Sequence, residues 1–156
     1  FLEIDVELTV RDAAPDSNAR AGEVEIRIEN SVPIGKRTYV ENVGEDTRFG
    51  VYEGILAVTL PGSSGRGRIE VDGIKTPLVS VGSDGPTRVL ATRFELAAEQ
   101  IRTFCVQFDL PTGLPELVIE PSARVPATQW RTSNGRQDDG TGFAVPLYDQ
   151  ERTDDG

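Results

Sequence analysis

Catalysis that depends on an imidazole is not available to this chain, because its 156 residues include no histidine, and they include a single cysteine, Cys105. A Ser-His-Asp or Cys-His arrangement needs an imidazole as its base, and zinc is commonly bound by Cys and His. Both kinds of site are excluded within this sequence, and a lone cysteine forms no intrachain disulfide. Without a partner that stabilises its thiolate, we interpret Cys105 as a small apolar filler of a strand.

Carboxylates are abundant, and a pair of them is the machinery of many glycosidases. Several acidic residues alternate with apolar ones along two segments: Glu3, Asp5, Glu7, Glu23, Glu25 and Glu29. Every second side chain of a strand lies on the same face, so this spacing places the carboxylates on a solvent-facing surface. We therefore interpret them as surface charges and predict no catalytic residues.

Four loops carry oxygen atoms or glycines that could suit an ion or a phosphate group. Asp16-Ser17-Asn18, Ser83-Asp84-Gly85 and Asp138-Asp139-Gly140 are rich in oxygen atoms, and residues 62–67 read GSSGRG. None of the first three has the ligand spacing of an EF-hand, and Asp-Gly pairs are common in turns. The fourth lacks the Lys-Ser/Thr ending of a phosphate-binding loop. We interpret all four as turns or linkers and expect no metal or cofactor, although calcium binding by the Asp/Gly turns stays open.

Aromatic residues offer two interpretations. Trp130, Tyr39, Tyr52 and Tyr148 would suit a platform on which a sugar ring or a peptide stacks. Trp130 also follows a proline-rich stretch, where large aromatic side chains commonly cover the open end of a sandwich core. We favour the core or lid interpretation and keep the platform as the alternative.

The elements that would position these residues are strands, and the clearest pattern covers residues 87–111. Apolar side chains recur there at every second position as Leu90, Phe94 and Leu96, and again as Phe104, Val106, Phe108 and Leu110. The intervening Arg93, Glu95, Thr103 and Gln107 are polar. This period predicts two core strands, joined by a short polar turn, in a half-buried antiparallel sheet.

Other segments carry the same signal. Residues 1–11 and 23–29 alternate apolar and polar side chains and predict a first antiparallel pair, while residues 49–60 predict a strand that is partly buried on both faces. Asp72-Gly73 predicts a tight hairpin turn. Further short strands are expected at 37–43, 68–71, 74–81 and 117–119, and residues 122–148 leave a last strand or hairpin undefined.

These segments predict an all-β fold of seven to nine strands. We favour an immunoglobulin-like antiparallel β-sandwich, with a closed β-barrel as the alternative. The length suits one domain, which we place at residues 1–148, with a frayed C-terminal tail at residues 149–156.

Charge narrows the classes of partner. The formal net charge is −10, so phosphate backbones and anionic membrane surfaces are repelled, and we expect no nucleic-acid or direct membrane partner. Only two of the sixteen basic residues are lysines, which we take as a sign of a GC-rich, actinobacterial source. The chain begins without Met and contains no apolar run of about 20 residues that would span a bilayer. We expect it to be a fragment of a longer protein.

An ordered run of segments carries a resemblance to a known family. The run comprises residues 23–40 (EVEIRIENSVPIGKRTYV), 52–62 (YEGILAVTLPG), the hairpin at 71–73 and the strand ending FCVQFDLP at 104–111. Over residues 20–121 the chain resembles the C-terminal β-rich part of an actinobacterial family known as domain of unknown function four-zero-one-two. The resemblance implies a membrane-anchored parent protein whose soluble part lies in the cell envelope, outside the cytoplasm. It implies no functional residues.

The sequence leaves three functional hypotheses. The first is a non-enzymatic extracytoplasmic module that binds or scaffolds at a bacterial cell surface through its loops and sheet edges, with an unidentified protein partner. The alternative is a unit that binds or processes cell-wall glycans. The third is an accessory domain that supports a catalytic domain elsewhere in the parent chain.

Overall fold

The computed structural model describes residues 2–12, 20–34, 50–122 and 127–147, and in these ranges the chain is all-β, with twelve strands and no helix. The strands are β1 Leu2–Asp12, β2 Arg20–Asn30, β3 Tyr52–Pro61, β4 Gly65–Val71, β5 Ile74–Lys75, β6 Ser80–Asp84, β7 Thr87–Leu96, β8 Ile101–Leu110, β9 Glu116–Ile119, β10 Gln129–Thr132, β11 Gly135–Asp138 and β12 Phe143–Pro146. The count exceeds the predicted seven to nine because several of the additional strands are only two to five residues long.

The largest sheet has seven strands in the order β11-β10-β1-β2-β8-β4-β5. β1, β2, β8 and β4 are antiparallel neighbours, and β2 pairs with β1 over all eleven residues of each strand. β10 joins the other side of β1 in parallel. The sheet is therefore mixed, which differs from the purely antiparallel arrangement that we predicted.

Two smaller sheets pack their apolar side chains into the same core. One contains three strands in the order β3-β7-β6, and the other contains β12 and β9. Leu90 of β7 lies so close to β4 that a Cβ atom added to Gly67 would be 2.4 Å from its Cδ1 atom. Near the other end of the strand order of the large sheet, the ring of Phe143 on β12 meets the ring of Trp130 on β10 edge-on, with 6.3 Å between their centroids. The layers are consistent with a β-sandwich.

Alternating apolar residues supply one continuous core. Leu90, Leu96, Phe104 and Val106 are completely buried, as the period-two pattern predicted. Seventeen buried side chains form this core: Val6, Leu8, Val24, Ile26, Ile28, Leu60, Ile69, Val71, Leu90, Leu96, Phe104, Val106, Phe108, Leu110, Leu117, Val145 and Leu147. The opposite face of the seven-stranded sheet carries the charged positions and faces solvent.

β7 and β8 are consecutive, yet they lie in different sheets. Asn30, which is 2% exposed, stabilises the crossing: its main chain accepts from the Glu99 N–H (2.8 Å) and donates to the Gln100 carbonyl (3.0 Å). Its side-chain amide donates to the carbonyls of Gly50 and Leu96, at 3.0 Å each. The predicted pairing of these two strands is therefore wrong, because burial of one face does not specify which strand is the neighbour.

Some of the remaining predictions for single strands and turns are confirmed, and others are wrong. The strand at residues 1–11, its antiparallel partner and the strand at 117–119 are confirmed, as is the Asp72-Gly73 turn, where both residues have positive φ (51° and 78°). β3 is not buried on both faces: its side chains alternate, and Ile55 is 60% exposed. The expected edge strand at 37–43 and the tail at 149–156 lie outside the described residues.

Candidate binding groove

Among the described strands, β1 has no neighbour along most of one side. Opposite β2, it pairs with β10 only from Asp5 to Glu7, after which β10 turns back through Ser133 and Asn134 into β11. No described strand pairs with residues 8–12 on this side. In an antiparallel ladder, alternate residues direct both main-chain groups away from the partner strand. Within the described part of the chain, the edge of residues 8–12 therefore presents main-chain N–H and C=O groups that no strand pairs on this side.

A groove of about 740 Å³ lies against this open edge, and we call it the β1 groove. Its residues come from β1, from β10 and the turn after it, and from the end of β12 and the residue that follows, with Arg20 at the start of β2. They are Glu7, Leu8, Thr9, Val10, Arg11, Asp12, Arg20, Arg131, Thr132, Ser133, Asn134, Val145, Pro146 and Leu147. The volume falls within the range of ordinary ligand sites.

One wall of the β1 groove is apolar. Leu8 of β1 and Val145 and Leu147 at the end of β12 are at most 5% exposed, and Val10 is half-buried beside Leu8. The N–H of Leu147 donates to the carbonyl of Pro115 at 2.9 Å, which holds this wall in place. An apolar side chain that enters the groove would therefore meet a preformed, packed surface.

The other wall carries three arginines and two carboxylates. Arg11 lies 2.8 Å from Glu23, Arg20 lies 3.4 Å from Asp12, and Arg131 lies 3.0 Å from Glu7. The side chains of Arg11 and Arg131 are 59% and 56% exposed. Exposed ion pairs are weak, so these guanidinium groups remain accessible to an added carboxylate. Among the residues that line the groove, cations outnumber anions by three to two. Glu23, which is not one of them, supplies a third carboxylate, so each arginine already has an acidic partner.

A second groove, of about 810 Å³, lies between β3, β7 and the β4–β5 hairpin, and its apolar residues include Ile55, Ile74 and Phe94. Its charged residues are Glu53, Asp72, Arg93, Glu95 and Arg102, so anions outnumber cations. Asp72 and Arg102 pair with each other at 3.2 Å. This groove combines exposed apolar side chains with the same charge sign as the chain as a whole.

Trp130 is held by its own neighbours and does not present a free face with the other candidate platform residues. It is half-buried, its ring packs on Phe143, and its indole N–H donates to the carboxylate of Asp139 at 3.3 Å. Tyr52 packs instead on Phe94, with 5.7 Å between centroids, and belongs to the three-stranded sheet. Tyr39 and Tyr148 lie outside the described residues. The predicted core role of Trp130 agrees with these contacts.

Asp139 is a buried carboxylate with a structural role. It is 1% exposed, and it accepts the main-chain N–H of Thr128 at 2.7 Å in addition to the Trp130 indole. Burial by itself raises the pKa of Asp139, but the hydrogen bonds from Thr128, Trp130 and Ser122 lower it, and the net shift is downward. These donors occupy the carboxylate, so Asp139 joins the segment before β10 to the end of β11.

Cys105 lies on the charged outer face of the seven-stranded sheet, between Glu25 on β2 and Glu70 on β4. Burial raises the pKa of its thiol, and the carboxylates of Glu23, Glu70 and Glu25 raise it further, against a smaller lowering by Gln107. A raised pKa disfavours the thiolate, which is the nucleophilic form. The surroundings of Cys105 therefore oppose nucleophilic chemistry.

The acidic residues that alternate along β1 and β2 face solvent on this same surface, as predicted. Asp5 and Glu29 both contact Arg27, at 3.8 and 2.7 Å. Glu7 and Glu23 pair with the groove arginines described above. Glu3 lies opposite Glu29 in the register of the two strands. These positions form a charged surface with alternating signs.

The oxygen-rich loops are turns where the structure describes them. Asp138 accepts the Gly140 N–H at 3.0 Å, and the carbonyl of Asp84 accepts the Thr87 hydroxyl at 2.7 Å. Residues 16–18 lie outside the described ranges. Within those ranges no group of three or more Cys, Asp or Glu side chains is arranged to hold a metal ion.

The glycine-rich residues 62–67 comprise the three-residue connection between β3 and β4 and the first three residues of β4. The Gly62 N–H donates to the Pro86 carbonyl at 2.9 Å, and the Ser64 N–H donates to the Pro61 carbonyl at 2.8 Å. These contacts use main-chain groups that a phosphate cradle would need. The linker interpretation therefore agrees with the geometry.

The residues of the β1 groove were not among the sequence-predicted candidates. Arg11 and Arg131 are distant in the chain, and their proximity depends on the parallel pairing of β1 with β10. The Asn134-Gly135 dipeptide is a hairpin signal in the sequence, and it marks the turn at which β10 leaves β1.

Comparisons with known protein families, curated proteins and solved structures find no match to this chain. In the part of the chain that the structure describes, no helix has the length and apolar character to cross a bilayer.

Proposed function

We propose that the chain is a non-enzymatic binding module that takes up an extended polypeptide segment along the open edge of β1. The observation that carries this proposal is that no described strand pairs with residues 8–12 on the side opposite β2, where a groove with one apolar wall lies against them. Strand addition supplies main-chain hydrogen bonds to such an edge, while pockets for alternate side chains supply specificity.

The geometry suits this mode of binding better than it suits catalysis. Five residues of open edge correspond to roughly 17 Å of extended chain, about the length of an ordinary strand. Unprotected edges invite uncontrolled pairing, and proteins commonly cover or shorten them. The open edge of β1 lies against a groove, so an added segment would contact both of its walls.

The remaining parts of the proposal concern architecture and location. We place the strands in an immunoglobulin-like sandwich, for which the layered sheets give support, and we place the module in a bacterial cell envelope. The second placement is supported by the resemblance over residues 20–121 described above. The parent protein would then present the β1 groove outside the cytoplasm, on a protein anchored through a segment beyond this chain.

The carbohydrate-binding alternative has weaker support. A sugar platform needs exposed aromatic faces with free polar neighbours, and Trp130 uses its ring against Phe143 and its indole N–H on Asp139. A glycan array with peptidoglycan and arabinogalactan fragments tests this alternative directly. Specific glycan binding that is lost on Trp130→Ala, in a variant that still folds, would favour it over peptide binding.

Peptide binding to β1 is best tested by NMR-detected hydrogen exchange. The probes are soluble peptides of about eight residues, the length of a strand, in which Val alternates with Glu, Lys or Gln. We expect at least one of the three to slow exchange of alternate amides within residues 8–12. The amides of β3, a strand with one described neighbour, provide the control and are expected to stay unchanged.

If none of the three peptides protects residues 8–12, the β1 groove is not a strand-addition site and the proposal fails. Protection of β3 in place of β1 would also contradict it, because the second groove would then be the binding site.

A further inference from the structure

We infer that the segment taken up by the β1 groove alternates apolar and acidic residues. This inference rests on the proposed function and adds the chemistry of the partner. Its basis is that the two faces of a strand placed beside β1 would meet surfaces of opposite character, one apolar and one carrying arginines.

The inward face of such a strand is matched to apolar side chains. A strand that continues the sheet beside β1 shares its two faces, so its inward residues lie next to Leu8 and Val10. Val145 and Leu147 line the same groove as Leu8 and Val10, so the inward residues of the added strand would also meet them. A charged side chain in this position would lose its hydration without gaining a partner, which is strongly unfavourable.

The outward face of the same strand is matched to carboxylates. Its outward residues lie next to Thr9 and Arg11 on β1, and Arg131 projects from β10 on the same face, where it pairs with Glu7. Each guanidinium has five N–H donors, and a single exposed carboxylate leaves several of them free. An acidic residue of the partner therefore completes the hydrogen bonding of Arg11 and Arg131.

The charge of the whole chain does not override this local preference. At physiological ionic strength the interaction between exposed charges is screened beyond about 8 Å. Within that distance a bound carboxylate meets the arginines of the groove together with Glu23, Asp12 and Glu7, each of which is already paired with one of those arginines. The second groove has the opposite charge balance, so its preference among the same peptides would be reversed.

The test compares the affinities of the Val/Glu and Val/Lys peptides by isothermal titration calorimetry at low and high NaCl. We expect the Val/Glu peptide to bind about tenfold more tightly at low salt, since two exposed charge contacts change sign. This preference should shrink as NaCl is raised. In the double variant Arg11→Gln/Arg131→Gln the preference should disappear, whereas Arg93→Gln, an exposed arginine of the second groove, should leave it unchanged.

The outcomes separate this inference from the function on which it rests. Equal or tighter binding of the Val/Lys peptide, with residues 8–12 still protected from exchange, would overturn the acidic partner and keep strand addition. Protection by none of the peptides would overturn both.

Sedimentation velocity tests a second copy of this chain as the occupant: a dimer that the Val/Glu peptide fails to dissociate would overturn the inference. If the double variant does not fold, the unsubstituted chain provides the test: a preference for the Val/Glu peptide that does not shrink as NaCl is raised would overturn the inference.

Discussion

The guanidinium of Arg131 lies 3.0 Å from the carboxylate of Glu7, across the last position at which β10 pairs with β1. The pair joins residues 124 positions apart and stands where the sheet opens into the β1 groove. The ion pair therefore has two effects. It links β1 to β10 at the last position where they pair, and it occupies some of the N–H donors of Arg131 that a bound carboxylate would use.

Removal of the Glu7 charge should strengthen binding of the Val/Glu peptide. We expect Glu7→Gln to tighten it by a factor of about three and to change the free energy of unfolding by less than about 1 kcal/mol, because the pair is exposed. Glu3→Gln, on the same face of β1 and without an ion pair among the described residues, provides the control. If Glu3→Gln had the same effect, general repulsion and not the Arg131 contact would be responsible.

Asp139→Asn should destabilise the fold. Asparagine presents an amide N–H₂ group to one of the two N–H donors that the carboxylate now accepts, so a buried donor is left without a partner. We expect a loss of about 2 kcal/mol in the free energy of unfolding, measured by urea denaturation with Trp130 fluorescence. Asp138→Asn keeps its exposed turn contact with Gly140 and should stay within about 0.5 kcal/mol of the unsubstituted protein.

The contribution of Asp139 should depend on pH in a defined direction. Its pKa is lower in the folded state, so its contribution to stability is complete above the ordinary aspartate pKa of about 3.9. As the pH falls below that value, towards the lower folded pKa, the contribution is lost. The difference in unfolding free energy between the unsubstituted protein and Asp139→Asn should therefore shrink on acidification. A difference that is constant between neutral and acidic pH would contradict this account.

Gly67→Ala should disturb the contact between the two larger sheets. An added Cβ would lie 2.4 Å from Leu90 Cδ1, inside van der Waals contact, so strands or side chains must move. We expect a destabilisation of about 1–3 kcal/mol, measured by thermal and urea unfolding. Gly82→Ala on β6 is the matched control, because nothing lies within 4 Å of its added Cβ. Equal effects of the two substitutions would indicate a general cost of alanine in strands.

Cys105 should react slowly with iodoacetamide at mildly alkaline pH, since its raised pKa keeps the thiol protonated. Glu23→Gln removes one of the charges that raise the pKa, and we expect it to accelerate alkylation by a factor of about two to three. Asp109→Asn, on the same strand, is the control and should leave the rate unchanged. Alkylation of the folded protein at the rate found in urea would show that the surroundings do not protect Cys105.

The alternation of apolar and polar residues was sufficient to predict the all-β fold and many of the buried side chains. It identified β1, β2 and the inward residues of β7 and β8 because each of these strands is ten or eleven residues long. The same alternation could not assign β7 and β8 to different sheets. An inward apolar face is equally satisfied by either layer, and the choice depends on the hydrogen bonds of Asn30.

The candidate site was not predictable from composition or motifs. The site begins where the pairing of β1 with β10 stops, after Glu7, and that position depends on the turn at Ser133 and Asn134. β10, β11 and β12 have four residues each, too few for a periodic pattern to distinguish a strand from a loop. The core role of Trp130 could be predicted, because a large aromatic side chain is commonly buried with its N–H hydrogen-bonded. In the structure the acceptor of that hydrogen bond is Asp139.

The parallel pairing of β1 with β10 also bears on how the molecule reaches its native state. β1 cannot acquire β10 as its second neighbour until Arg131, 124 positions after Glu7, has emerged from the ribosome. Contacts between residues so distant in sequence slow the search for the native topology. Until then β1 lacks β10 along this edge, and its acidic residues Glu3, Asp5 and Glu7 are charges of the kind that protect an edge strand from pairing with other chains.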